Sequence, residues 1–156
     1  MKTILIQVGK TTDKHFAAGI CDYVERIGHY MPFELVTVPE LKNTNSLSEE
    51  QQKTAEGELI LKMLQPSDTV VLLDEHGREM RSMEFARWLQ KKGNTARRLV
   101  FVIGGPYGFS PAVYSRANEQ LSLSKMTFSH QMIRLVFTEQ LYRACTIIKG
   151  EPYHHE

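Results

Sequence analysis

Leu99-Val100-Phe101-Val102-Ile103-Gly104-Gly105-Pro106-Tyr107-Gly108 runs almost directly into Ser110-Pro111. An apolar run of strand length ends in a glycine-rich turn, and the turn meets an N-cap serine with proline in the first helical turn. Strand, tight turn and capped helix in that order form one unit of an α/β domain, and the turn falls at the carboxyl end of the sheet, where open α/β folds bind ligands. The glycines allow either a plain tight turn or close approach of a ligand to the backbone. The pattern is neither G-x-G-x-x-G nor a Walker loop, so a phosphate cradle is not indicated.

The same alternation extends in both directions. Strands are expected at 3–8, 34–38, 69–73, 99–103 and 121–124, giving an α/β domain with a mainly parallel sheet. Phe16, Ile20, Tyr23, Val24 and Ile27 mark one face of a helix from Lys14 to Tyr30, with Pro32 beyond it. Ser48-Glu49-Glu50-Gln51 has the form of a capping box and opens a helix that Pro66 stops; its charge-rich face is read as solvated. Ser82 is expected to cap a helix ending at Gly93, and a last helix from His130 to Lys149 is closed by Gly150. The connections 39–47 and 74–81 are left without regular structure, and nothing divides residues 1–156 into two domains.

At 156 residues with a net charge of +1, the chain has enough length to bury roughly two-thirds of its unfolded surface. It lacks the strongly basic balance of a bulk nucleic-acid binder, although a local patch is compatible with it. Cys21 and Cys145 are isolated, without metal spacing, which fits buried thiols in a reducing compartment. No apolar run approaches ~18 residues, and the chain opens on Thr3-Ile4-Leu5-Ile6-Gln7-Val8, so a cytoplasmic protein with no membrane partner is expected.

Two further segments offer chemistry. Leu121-Ser122-Leu123-Ser124 turns into Lys125-Met126-Thr127-Phe128-Ser129, which is either an ordinary strand-to-helix connection or a loop gripping a purine edge while Leu73, Met126 and Phe128 cover its faces. On the last helix His130, Arg134 and Thr138 share an edge at i, i+4 and i+8, and Glu139 with Arg143 forms another i, i+4 set. That pair is either a surface ion pair or a holder for a phosphate or carboxylate. Apolar residues fill more than one stripe of this helix, so either a symmetric dimer or its own domain covers the second side. The terminal Tyr153-His154-His155 is solvated unless pinned, in which case it can stack on a base or move a proton; a dedicated metal site is not expected.

Taken together, Ile4 to Lys10, Met31-Pro32-Phe33-Glu34-Leu35, Leu72-Leu73-Asp74, Ile103 to Gly108, Ser122 to Met132 and Leu141 to His154 make the chain resemble the RlmH family. These are SPOUT-class methyltransferases of a pseudouridine in large-subunit ribosomal RNA, and the likeness covers the whole length. It implies a five- or six-stranded α/β knot in which the carboxyl-terminal chain forms a trefoil. It implies S-adenosylmethionine as methyl donor, with no metal, at Leu73, Gly105 and Ser124, Lys125, Met126, Thr127, Phe128 and Ser129. It implies transfer to the N3 nitrogen of pseudouridine in 23S RNA on assembled ribosomes, by a homodimer joined through the last helix. His130, Arg134, Arg143, Tyr153 and His154 would face the RNA, with His154 the candidate proton acceptor or base positioner, Glu139 its rival and Arg134 beside them. Ser129 stands where relatives often carry proline, and His155 where they often carry arginine or lysine. A noncatalytic RNA- or ribosome-binding module of the same fold is the alternative.

Overall fold

In the computed structural model, which describes residues 1–156, five strands pair in parallel: β1 (Lys2–Val8), β2 (Phe33–Val38), β3 (Thr69–Glu79), β4 (Arg98–Ile103) and β5 (Glu119–Ser122), in the order β2-β1-β4-β3-β5. The helices are α1 (Lys14–Gly28), α2 (Glu49–Lys62), α3 (Ser82–Thr95), α4 (Pro111–Arg116) and α5 (Met132–Ile148). Side chains alternate across each strand, and both faces of this sheet are dry. Leu99, Phe101 and Ile103 enter one core with Phe85, Phe137 and Leu141 from α3 and α5, while Val100 and Val102 enter the other with Ile60 of α2 and Val113 of α4. The molecule is therefore a three-layer α/β/α sandwich.

The helix ends follow their caps. Ser48 and Gln51 form the reciprocal box at the start of α2, and the Ser110 side chain accepts from the Val113 N–H to open α4. Gly150 takes φ +71° just beyond α5, and the Glu151 N–H returns to the Thr146 carbonyl at 3.0 Å. At α3 the cap differs from expectation. Glu84 accepts from the Arg81 N–H at 3.0 Å, whereas Ser82 is already helical and donates to Gln140 Oε1 at 2.9 Å. That helix runs past Gly93 to Thr95.

Two strand ends also differ. β3 does not stop at Leu73: residues 74–77 loop out of register, and Arg78 and Glu79 resume pairing with Leu121 and Ser122. A run of charged residues hides this return from hydrophobic patterning. β5 begins at Glu119, two residues early, because Trp88 Nε1 donates to the Glu119 carboxylate at 2.9 Å and Lys92 pairs with it. Inside the looped segment, a Cβ on Gly77 would lie 2.6 Å from the Gln120 carbonyl carbon and 2.7 Å from the Leu121 nitrogen. Backbone cannot yield as a side chain does. Gly77→Ala should therefore cost about 1–3 kcal/mol, read as a lower urea midpoint with an unchanged m-value.

After β5 the chain leaves the sheet edge and crosses to the far side of β4. Gln131, at the end of the crossing, accepts from the Thr12 N–H at 2.8 Å, just beyond β1. The 123–131 segment thus traverses the carboxyl ends of β3 and β4. α5 then packs between α1 and α3, with Phe137 4.7 Å from Phe101 and Leu135 close against Gly19. Its own domain accounts for much of the two-sided apolar pattern.

Candidate functional site

The crossing segment and the glycine turn enclose a cleft of about 550 Å3 at the carboxyl ends of the strands. Leu73, Gly105, Ser124, Met126, Thr127, Phe128 and Ser129 all border it, as does His130. Lys125 does not: its exposed side chain reaches toward Glu79 at 3.8 Å. Ser124 Oγ accepts from the Met126 N–H at 3.0 Å, and Thr127 Oγ1 donates to Glu75 at 2.7 Å, tying the loop to the segment looped out of β3. Ser129 acts on the helix that follows it. Its hydroxyl accepts from the Met132 N–H at 3.0 Å and so caps the first turn of α5.

The glycine turn is supported from behind by α2. Glu56 Oε1 accepts from the Gly105 N–H at 3.0 Å, and a Cβ at Gly57 would lie 2.5 Å from Ser110 Oγ. Close packing of α2 on the start of α4 brings the Glu56 carboxylate onto the turn. Burial raises the pKa of Glu56, and the Gly105 amide opposes that rise. The charged face of α2 is thus not wholly solvated. A Cβ on Gly105 would come within 2.5 Å of the same carboxylate, so Gly105→Val should displace Glu56 and shift the turn. The expected result is at least a tenfold loss of affinity for an adenosyl ligand by calorimetry, about 1.4 kcal/mol.

Asp74 and Tyr114 complete the far wall. The Tyr114 hydroxyl donates to Asp74, whose other oxygen accepts from the His76 N–H at 2.8 Å. Burial works against the Asp74 charge, but these hydrogen bonds outweigh it and hold its pKa below the usual value. Burial and the Asp74 bond push Tyr114 up to about 12. Asp74, Tyr114, Glu56 and Lys53 were not singled out from the sequence as site residues. Only the position of Asp74 at a strand end was a signal for them.

The residues expected on the RNA side divide into two groups. Glu139, Arg143, Tyr153 and His154 are brought together: Arg143 Nε donates to Glu139 at 2.9 Å, Nη1 lies 3.0 Å from His154 Nδ1, and the guanidinium stands 4.8 Å from the Tyr153 ring centroid. The tail is further held by Tyr142, 4.8 Å from Tyr153, and by Glu151, which accepts from Tyr30 Oη at 2.7 Å. Arginine only donates, so Nδ1 accepts and the neutral ring carries its proton on Nε2. Nε2 is buried without a hydrogen-bond partner, and His154 lines a second hollow of about 440 Å3. Leu123 borders both hollows. Burial raises Tyr153 to about 12, which keeps its phenol protonated near neutrality.

Arg134 is the exception. It is 0% exposed, and its guanidinium donates to the Val8 carbonyl at 2.7 Å, the Gly9 carbonyl at 2.9 Å and Thr11 Oγ1 at 3.0 Å. Thr138, on the same edge, is also buried and donates to the Arg134 carbonyl. Arg134 faces the end of β1 with Thr138 buried beside it, whereas His130 lies ahead of the helix on the border of the cleft; Arg134 is corrected from a catalytic or RNA-contacting residue to an anchor of the fold. Its register was right and its direction was not.

A family model described as Predicted SPOUT methyltransferase matches residues 1–154. The chain belongs to that family. It is 64% identical over 157 aligned residues to Ribosomal RNA large subunit methyltransferase H of Bacteroides fragilis, with all of both chains covered. The protein of that name from Phocaeicola vulgatus is 62% identical at full coverage, and the one from Christiangramia forsetii is 59% identical, covering 97% of each chain. A probable methyltransferase from Bordetella pertussis Tohama I superposes with a TM-score of 0.55 at 14% identity, covering 92% of this chain and 96% of the other. That likeness speaks to fold alone. The chain is therefore a methyltransferase with an α/β SPOUT architecture. No helix is long and apolar enough to cross a membrane, and no group of three or more His, Cys, Asp or Glu is placed to hold a metal.

Proposed function

We propose that this protein transfers a methyl group from S-adenosylmethionine to the N3 nitrogen of a pseudouridine in large-subunit ribosomal RNA, as a homodimer acting on assembled ribosomes. The observation that carries it is the cleft between Gly105 and the 124–129 loop. Its volume lies within the ~300–1,000 Å3 of ligand sites, and its lining mixes apolar residues such as Leu73, Ile103 and Phe128 with polar ones such as Ser124 and Thr127, a composition suited to an adenosyl group. The full-length similarity to the Bacteroides methyltransferases supports the RNA substrate.

Held by Leu73, Phe128 and the Gly105 turn, the donor would supply an electrophilic methyl on its sulfonium and would be left as a neutral thioether, with the N3 proton passing to solvent water. The protein's share is placement and charge. Leu73 and Phe128 wall the adenosyl site, and the Glu56-held turn presents Gly105 to it. Arg143, Tyr153 and His154 meet the RNA, with Nε2–H of His154 donating to a ring carbonyl; that assignment favours positioning over proton acceptance. Glu139 is committed to Arg143 and serves it as counter-ion. In the dimer, α5 meets its mate and a tail from one subunit completes the site of the other. The crossing of 123–131 over β3 and β4 is the place where a trefoil knot would form.

Labelled methyl transfer to intact ribosomes, isolated large subunits and free RNA tests the proposal. Label should appear in large-subunit RNA of intact ribosomes. Ribosome association without incorporation would leave a binding module, and incorporation into free RNA alone would overturn the assembled substrate.

A further inference from the structure

Lys53 is the only lysine or arginine bordering the 550 Å3 cleft, which Asp74 and Glu75 also border. It stands one helical turn before Glu56, on the same face of α2, the face whose Glu56 carboxylate accepts from the Gly105 N–H at the glycine turn. The Lys53 side chain is 21% exposed, yet its ammonium pairs, at 2.8 Å, only with Glu50, whose side chain is 74% exposed. Such a solvated i, i+3 pair holds weakly, and a carboxylate that enters the cleft replaces Glu50 at little cost.

We propose that Lys53 binds the carboxylate of the amino-acid tail of the methyl donor and thereby selects ligands bearing that tail. The inference depends on the cofactor reading of the cleft. An anionic group entering the site is repelled by the carboxylates of Asp74 and Glu75 and meets one lysine, on α2. The adenosyl portion makes no demand on Lys53. Discrimination is therefore the expected signature: the lysine matters for a ligand with the carboxylate and not for one without it.

Calorimetry on the full chain with two uncharged-sulfur ligands separates these contributions. S-adenosylhomocysteine carries the amino-acid tail, whereas 5′-methylthioadenosine has the same adenosyl thioether without it. Lys53→Ala and Lys53→Met should each weaken S-adenosylhomocysteine about tenfold while leaving methylthioadenosine within about twofold, and Lys53→Arg should restore most of the loss. Unchanged methylthioadenosine binding also shows that the variants are folded. Equal weakening of both ligands, or of neither, overturns the role of Lys53 while the cleft stands. Wild-type protein that binds neither ligand overturns the cofactor reading and this inference with it.

Discussion

Arg134→Ala should lower the melting temperature by roughly 10 °C or more, although the residue borders neither hollow. Two carbonyls at the end of β1, Val8 and Gly9, have their hydrogen bonds from this guanidinium, and both lie in the dry interior. Leaving each unsatisfied costs about 1–3 kcal/mol, and the space vacated by the side chain adds to that. Removing a buried charge returns part of the desolvation cost, so a net loss of about 3–5 kcal/mol is expected. At this chain length each kcal/mol moves the midpoint by about 2–4 °C. Arg134→Lys should fall between, because one ammonium cannot match the guanidinium fork that spans two carbonyls and Thr11. Reversible urea melts of the three proteins check the order. A loss for alanine below about 1 kcal/mol would mean that water reaches the carbonyls and that the arginine is not their anchor.

His154→Ala should reduce single-turnover methyl transfer about a hundredfold, the scale of a positioned polar group at a reacting centre, while S-adenosylhomocysteine affinity stays within about twofold. His154 borders only the second hollow, which shares Leu121 and Leu123 with the cleft, and that placement is the reason for the split. Arg143→Ala should imitate it, since Nδ1 then loses the donor that fixes the tautomer and the tail loses its contact with Tyr153. Normal transfer by the His154 variant would remove this histidine from the reaction, and a matching loss of thioether affinity would make it part of the cofactor site.

What the sequence disclosed, and what it withheld, follows from the range of the interactions concerned. Strand β4 was legible because five successive apolar residues have no amphipathic alternative, and the ends of α2, α4 and α5 were legible because Ser48, Ser110 and Gly150 act on backbone a few residues away. The return of β3 at Arg78 and Glu79 was not, because charged residues there are paired by backbone hydrogen bonds that hydropathy does not register. Periodicity placed Arg134, Thr138, Glu139 and Arg143 correctly on α5 but could not say which edge met the end of β1 and which met the tail. Lys53 and Glu56 failed to stand out for the same reason. Their importance comes from a turn 49 residues beyond Glu56, and only the close approach of Gly57 to Ser110 brings the two together. The resemblance to the RlmH family supplied the cofactor and the chemistry; the spacing of residues did not.

The bond from Arg134 to Val8 joins positions 126 residues apart. During synthesis, β1 therefore emerges with its terminal carbonyls wet and stays so until the final helix is made. Truncated products ending before that helix lack this closure, and the 123–131 crossing has no helix to hold its far end. The first strand to be made is thus closed by the last helix, and the 550 Å3 cleft takes shape only with the final quarter of the polypeptide.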